Sequence, residues 1–433
     1  MTMFMNNSEN FKDILWGLVI GDALGTPLDG LGKGHLKAVF KRIDRYIDPL
    51  PALKGKADRW KKPGLYSSLS QLALLAVLAA GIRRKNLQDT ISLYVTHAME
   101  DNQGNYGIFR HTGFGEQHLL SILLQPGAGN DGSLRDHPCG RITLILLPIL
   151  LTMDLPSEEN FGTLLQLGSF FSHNPYNLTG SLLISSLLQE RISVPSKKDL
   201  YFSEIIAHIE KLRLHSEKAS HLIFQNRINP DDFLEALQRY ADIFEAISSA
   251  QSMQQADEII YTRANGLLKT PITRSTINHP LTLIPFSLFH VFQYAQNPQE
   301  ALYHVALEGG TSAPLCALTA SLLSSLAGRN FFESHFRDEL VNKKRVNQYI
   351  DAIVEGKVNP QIIEEFLSSE SDLTRKEAEE LNSKLKHVRI KPKRTPSQKE
   401  KETTLAKHVV ESWTKADKAK WKKERKRQHK DLD

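Results

Sequence analysis

Three short stretches set oxygen-bearing side chains beside glycines at helix ends. "GDALGTPLDG" (21–30) holds Asp22 within an apolar run and Asp29 just past a Gly-x-Pro exit. "YSSLSQ" (66–71) places Ser67, Ser68 and Ser70 at the mouth of "LALLAVLAA" (72–80), and "EGGTSAP" (308–314) puts Thr311 and Ser312 after a Gly-Gly turn. A hydroxyl at a helix start accepts a hydrogen bond from an amide that otherwise lacks a partner, so capping is the first chemistry these residues predict. For the serines a second reading is that a site stood at this helix mouth. Two further loops bear glycine or histidine: "RHTGFGE" (110–116), with Gly113 and Gly115, and "SHNP" (172–175), with His173. For His173 two roles stay open, a hydrogen bond to a ligand and a cap where a loop enters a helix.

Other chemistries are absent from the sequence. It has no Gly-x-Ser-x-Gly elbow, no Gly-x-x-x-x-Gly-Lys-Ser/Thr phosphate loop and no His-Glu-x-x-His pair. "GLGKGH" (30–35) is glycine-rich but follows no strand, so it is expected to be a loop rather than a phosphate cradle. The two cysteines, Cys139 and Cys316, are far apart and outside any Cys-x-x-Cys spacing, which argues against a disulfide framework and a zinc cluster.

The elements that must position these residues read as helices. Phe11, Ile14, Leu15 and Leu18 recur at intervals of three and four. Further helical segments are predicted at 69–80, 87–100, 116–124, 141–152, 161–171, 178–190, 202–213, 231–249, 253–266, 280–294, 299–307 and 313–327. Alternating strand patterns are scarce. The expected architecture is one compact all-α domain over residues 1–330, a short helical appendage over 331–383 ("PQIIEEFLSS", "RKEAEELNSKLK") and a tail over 384–433 that is partly helical or disordered. Gly21 and Gly25 permit close packing and a sharp exit from the first helix.

At 433 residues, 41% of them apolar and 24% charged, the chain has ample material for a core. Its apolar runs fall short of the roughly 18 to 20 residues that span a bilayer, and no secretory signal opens the sequence, so a cytoplasmic protein without membrane contact is expected. From Lys384 onward 18 Lys and Arg face 7 Asp and Glu, whereas the rest of the chain has 36 against 42; the net charge of +5 belongs to the tail. Two roles follow for 384–433: a solvated extension, or contact with nucleic acid or another polyanion, with Trp413 and Trp421 available for stacking.

"WGLVIGDALGTPLDG" (16–30), "FRHTGFGEQ" (109–117), "HPCGRITLILLPIL" (137–150), "FFSHNPYNLTGSLL" (170–183), "HPLTLIPFSLFHVF" (279–292) and "ALEGGTSAPLCALTASLLSSLAG" (306–328) resemble, in order and spacing, the ADP-ribosylglycohydrolase family. That family includes the dinitrogenase reductase-activating glycohydrolase and the noncatalytic J1 crystallins. The resemblance implies a compact all-α fold with two Mg²⁺ ions in a cleft, where they hold ADP-ribose and orient the water that cleaves at the ribose C1″. Octahedral Mg²⁺ takes oxygen ligands, and a pair of such ions needs several carboxylates.

This chain departs from that pattern at the carboxylates. The first acidic position falls on Asp29. The Thr-Asp-Asp-Thr stretch falls on Ser67, Ser68, Leu69 and Ser70, and the late Asp-x-Asp-Thr on Thr311, Ser312, Ala313 and Pro314. Two Mg²⁺ ions about 4 Å apart at an effective dielectric near 20 repel by roughly 4 kcal/mol per unit pair, and about four times that for double charges. One carboxylate cannot offset this, and Leu69 and Ala313 cannot ligate. The expectation is therefore no metal and no cofactor, with Asp22, Glu308, Asp131 or Asp136 as the acids from which a single-metal site would have to be rebuilt. In the Gly-x-x-Met-Arg-x-x-Pro segment of the family, Leu144 and Ile145 stand near the expected Met and Arg.

The resemblance thus implies a degenerate hydrolase. Asp29, Ser68, Leu69, Thr311 and Ala313 are the altered catalytic positions. Asp29, Ser67, Ser68, Gly113, Gly115, His173, Thr311 and Ser312 are the candidates for holding an ADP-ribose-like or nucleotide-like ligand. Two alternatives stand beside it: an active metal-dependent hydrolase that removes ADP-ribose using replacement acids, and a scaffold that acts through its basic tail.

Overall fold

The computed structural model describes residues 8–82, 86–100, 106–113, 116–117, 119–121, 137–152, 160–193, 201–265 and 278–389. Its principal helices are α1 (Ser8–Gly25), α2 (Lys33–Phe40), α3 (Ser68–Gly81), α4 (Leu87–Met99), α5 (Gly140–Leu151), α6 (Phe161–Phe171), α7 (Pro175–Ser193), α8 (Phe202–Lys218), α9 (Ser220–Gln225), α10 (Pro230–Ile247), α11 (Met253–Asn265), α12 (Pro280–Gln293), α13 (Pro298–Glu308), α14 (Ser312–Ala327), α15 (Ser334–Asp338), α16 (Lys343–Val354) and α17 (Pro360–Arg389). The fold is all-α, as the sequence patterning leads one to expect. Among the described residues the isolated bridge between Gly32 and Gly309 is the β-type pairing. Residues Met1–Leu381 form one compact unit and Asn382–Asp433 a second, of which the last turns of α17 are the described part.

The centre of the fold is the contact of α1 with α14. Gly17, Gly21 and Gly25 recur every four residues along α1, opposite Ala320, Cys316 and Ser312 on α14. A Cβ added at these glycines would stand 2.6 Å from the Ala320 carbonyl oxygen, 2.3 Å from that of Cys316 and 2.2 Å from that of Ser312. Glycine is required because the two backbones touch. The chain leaving α1 is then tied to the turn that opens α14: the Gly30 amide donates to the Gly310 carbonyl and the Gly310 amide to that of Leu31, each at 2.7 Å. Gly309 and Gly310 both take φ +69°, which lets the turn fold back this tightly.

Helix α3 is buried on every side from Ser68 to Ala80, and α5 from Gly140 to Leu151. A helix apolar all round belongs inside a large core rather than at its surface. The two pack on each other and on α1, α7 and α14. Among the described residues no helix is long and apolar enough to cross a membrane.

Two parts differ from the sequence expectations. Helix α2 was not anticipated, being two turns long with few apolar residues. The segments "PQIIEEFLSS" and "RKEAEELNSKLK", expected as separate short helices, run through the single 30-residue α17. Residues 331–381 pack closely on the body: Phe336 lies edge-on to Tyr46 with ring centroids 5.5 Å apart, and Ile363 and Phe366 are fully buried.

Candidate functional site

The mouth of α3 is organised by Asp22, which α1 carries into the core with no exposure. Its carboxylate accepts from the Ser67 amide at 2.9 Å and hydroxyl at 2.8 Å, from the Ser70 amide at 3.2 Å and hydroxyl at 2.7 Å, and from the Thr26 hydroxyl at 2.9 Å. Ser67 is also the N-cap, accepting from the Leu69 amide at 3.2 Å. The capping predicted for the serines is present, and Asp22 adds a negative charge at the positive end of the helix.

A second buried carboxylate completes the cluster. Glu116 Oε1 accepts from the Ser68 hydroxyl at 2.8 Å, while Oε2 accepts from the Gly113 amide at 2.6 Å and from Arg141 Nε at 2.7 Å. Arg141 stands in the first turn of α5. Its guanidinium also donates to the Ser67 hydroxyl at 2.7 Å and lies 4.0 Å from Asp29 Oδ2. Burial opposes its charge, but Glu116, then Asp29 and Asp22, more than reverse that and raise its pKa above the ordinary arginine value.

Asp29, partly exposed, faces the start of α14. Its Oδ1 is 3.5 Å from the Ala313 amide, and its Oδ2 is 3.6 Å from Lys61 Nζ. Ser312 is buried and its hydroxyl donates to the Leu28 carbonyl at 3.4 Å, whereas Thr311 sits at the N-cap position without a side-chain cap bond. Ala313 and Leu69 lie in the interior. The structure therefore brings Asp29, Ser67, Ser68, Gly113 and Ala313 into one place, around the Arg141 guanidinium.

His173 lies in the buried loop that opens α7, where Asn174 Oδ1 accepts from the amides of Tyr176 at 3.0 Å and Asn177 at 3.2 Å. That loop reaches the cluster indirectly, since Asn177 Oδ1 accepts from the Cys139 amide at 2.8 Å, at the start of α5. Gly115, Asp131 and Asp136 lie outside the described residues. Glu308 is buried and paired with Lys33 at 2.6 Å; burial raises its pKa and Lys33 pulls it back.

Sequence reasoning missed Arg141 and Glu116. Each had a signal: a lone arginine opening the almost wholly apolar "ITLILLPILL" must find a buried partner, and the glutamate ends the glycine-rich loop "RHTGFGE". Arg141 precedes Ile145, near which the resemblance expects an arginine, by one helical turn.

The fit to divalent ions can be judged donor by donor. Asp22 and Glu116 spend both carboxylate oxygens on internal donors, Asp29 faces two cations, and Ser68 is bonded to Glu116. Among the described residues no group of three or more His, Cys, Asp or Glu is arranged to hold a metal ion.

The profile of the ADP-ribosylglycohydrolase family matches residues 5–362. A solved structure described as an "ADP-ribosylglycohydrolase-related protein complex" aligns with TM-score 0.53 and 15% identity, over 81% of this chain and 98% of its own, a likeness of fold. No curated protein matches the sequence significantly. A profile match over most of the length, on a helical body that the solved structure shares, places the chain in the ADP-ribosylglycohydrolase family.

Proposed function

We propose that this chain is a noncatalytic member of its family, in which a fixed guanidinium takes the place of the two Mg²⁺ ions that the resemblance implies. The observation that carries this reading is Arg141, bonded to Glu116 and Ser67 and facing Asp29 among the residues aligned with the metal ligands. A cation built into the chain neutralises the carboxylates, and a divalent ion placed beside it would meet positive charge instead of open oxygen ligands.

An ADP-ribose-like molecule remains the ligand class of the cleft. Asp29 and Thr311 are the aligned residues with exposed surface to meet it, whereas Ser67, Ser68 and the Gly113 amide are engaged internally. The cytoplasm fits the two cysteines, both free and buried. The tail's local excess of positive charge supports a separate role in polyanion contact. Retention on heparin at moderate salt, lost on removal of 390–433, is the expected result for it; equal retention of the truncated chain excludes it.

The deciding assay offers ADP-ribosylated arginine, ADP-ribosylated serine and O-acetyl-ADP-ribose with excess Mg²⁺, alongside calorimetric titration with Mg²⁺, Mn²⁺ and ADP-ribose. No turnover, no two-site metal binding and measurable ADP-ribose binding are expected. Turnover comparable to that of active family members, or two divalent ions bound with micromolar affinity, would establish the active-hydrolase alternative instead.

A further inference from the structure

The family profile ends at residue 362, within the first turn of α17, yet the carboxylates that follow on this helix reach the segments forming the site. Glu370 has no exposure and accepts from Arg110 at 2.6 Å and from Gln71 Nε2 at 2.9 Å, as well as from the Tyr66 hydroxyl. Glu377, two turns on, is bonded to His111 Nε2 at 2.9 Å and accepts from the Lys62 amide at 2.8 Å. Thr374 lies between them, accepting from Arg110 at 3.2 Å and donating to the Ile108 carbonyl at 2.7 Å.

Every one of these partners is a near neighbour in sequence of a site residue. Lys62 follows Lys61, which faces Asp29. Tyr66 and Gln71 bracket Ser67 to Ser70. Arg110 and His111 precede Gly113, whose amide holds Glu116, and the Arg110 carbonyl accepts from the Ser68 amide at 2.8 Å. Two chain segments distant in sequence, 60–71 and 106–113, thus meet at the site, and one face of α17 holds both.

We propose that Glu370 and Glu377 are positioning residues of the cleft, and that α17 is a brace without which the family-matched part of the chain does not hold segments 60–71 and 106–113 in place. The proposal does not depend on whether the cleft is catalytic. The buried Arg110–Glu370 ion pair suits this task, because release of either partner leaves the other desolvated and unpaired, so the bonded arrangement is the one the fold retains.

The chain carries its own reporter. Cys139 is buried at the start of α5, where burial and then the Glu116 charge push its thiol pKa up; Cys316 lies in the α1–α14 contact, away from α17. The test uses the full chain with Glu377→Gln and Glu370→Gln, reading N-ethylmaleimide labelling of each cysteine by mass spectrometry and amide hydrogen exchange by peptide. Expected is at least about tenfold faster labelling of Cys139, with its pH profile moved to lower pH, and faster exchange in 60–71, 106–113 and the start of α5 that carries Cys139, while Cys316 and 312–327 stay protected. His111→Gln should match Glu377→Gln, with no further gain in the double variant. Cys139 labelled at the wild-type rate in both glutamine variants, or Cys139 and Cys316 exposed together as in general unfolding, overturns the proposal.

Discussion

Arg141 Nε donates to Glu116 Oε2 at 2.7 Å, and both side chains are almost wholly shielded from water. This pair joins the start of α5 to the glycine loop, and through Ser67 and Ser68 it joins both to the mouth of α3. Removal of one partner leaves a buried charge alone, which typically costs about 3–5 kcal/mol. Arg141→Leu and Glu116→Leu should each lower stability by that order in urea unfolding. The double variant should lose clearly less than the sum, because it leaves neither charge stranded.

Asp22 is tested separately. Its five donors include two amides of the first turn of α3, and an asparagine would turn an NH₂ group toward some of them. Hydrogen bonds to a charged group contribute about 1.5–3 kcal/mol each before compensation. Asp22→Asn should destabilise by about 2–4 kcal/mol, well beyond the roughly 1 kcal/mol expected for losing the single hydroxyl bond in Ser70→Ala. Similar losses in the two variants would mean that Asp22 does not organise the helix mouth.

The glycines of α1 yield a prediction of sign. In an ordinary helix Gly→Ala stabilises by about 1 kcal/mol. At Gly21 the new methyl would stand 2.3 Å from the Cys316 carbonyl oxygen, and both atoms belong to packed helices. Gly21→Ala should therefore lower the melting temperature, by the equivalent of about 1–3 kcal/mol of overpacking. Gly34→Ala is the control: nothing lies within 4 Å of the added atom, and it should be neutral or stabilising.

Two histidines of α12 set the acid limb of stability. Burial lowers the pKa of His279 to about 4 and that of His290 to about 3, and both leave Nε2 without a hydrogen-bond partner. Between these values and the usual value near 6.5 the unfolded chain binds protons that the folded chain refuses. Their contribution to stability is thus fully present above about pH 6.5 and is lost as the pH drops toward 3–4, several kcal/mol for the two together. His290→Leu should flatten that limb in urea titrations between pH 7 and 4, and an unchanged slope would show that the imidazole is not the cause.

Much of this protein is legible in the sequence because the signals are local. The three-and-four spacing of Phe11, Ile14, Leu15 and Leu18 specifies a helix whatever its neighbours, the serines before "LALLAVLAA" announce a capped start, and six ordered segments carry the family resemblance. The resemblance also implies carboxylates at Ser68, Leu69, Thr311 and Ala313, where this sequence has none. What replaces them is not local. Asp22, Glu116 and Arg141 are separated by dozens of residues, and a buried charge acquires its role only when the backbone brings its counter-charge within about 3 Å in a low dielectric. The tertiary structure made that decision through Gly21 and Gly25, which seat α1 on α14 closely enough to carry Asp22 under α3 and Asp29 to the start of α14. It also turned a C-terminal stretch that reads as short amphipathic helices into one helix whose glutamates hold segments 60–71 and 106–113, since their partners Arg110 and His111 lie some 260 residues upstream.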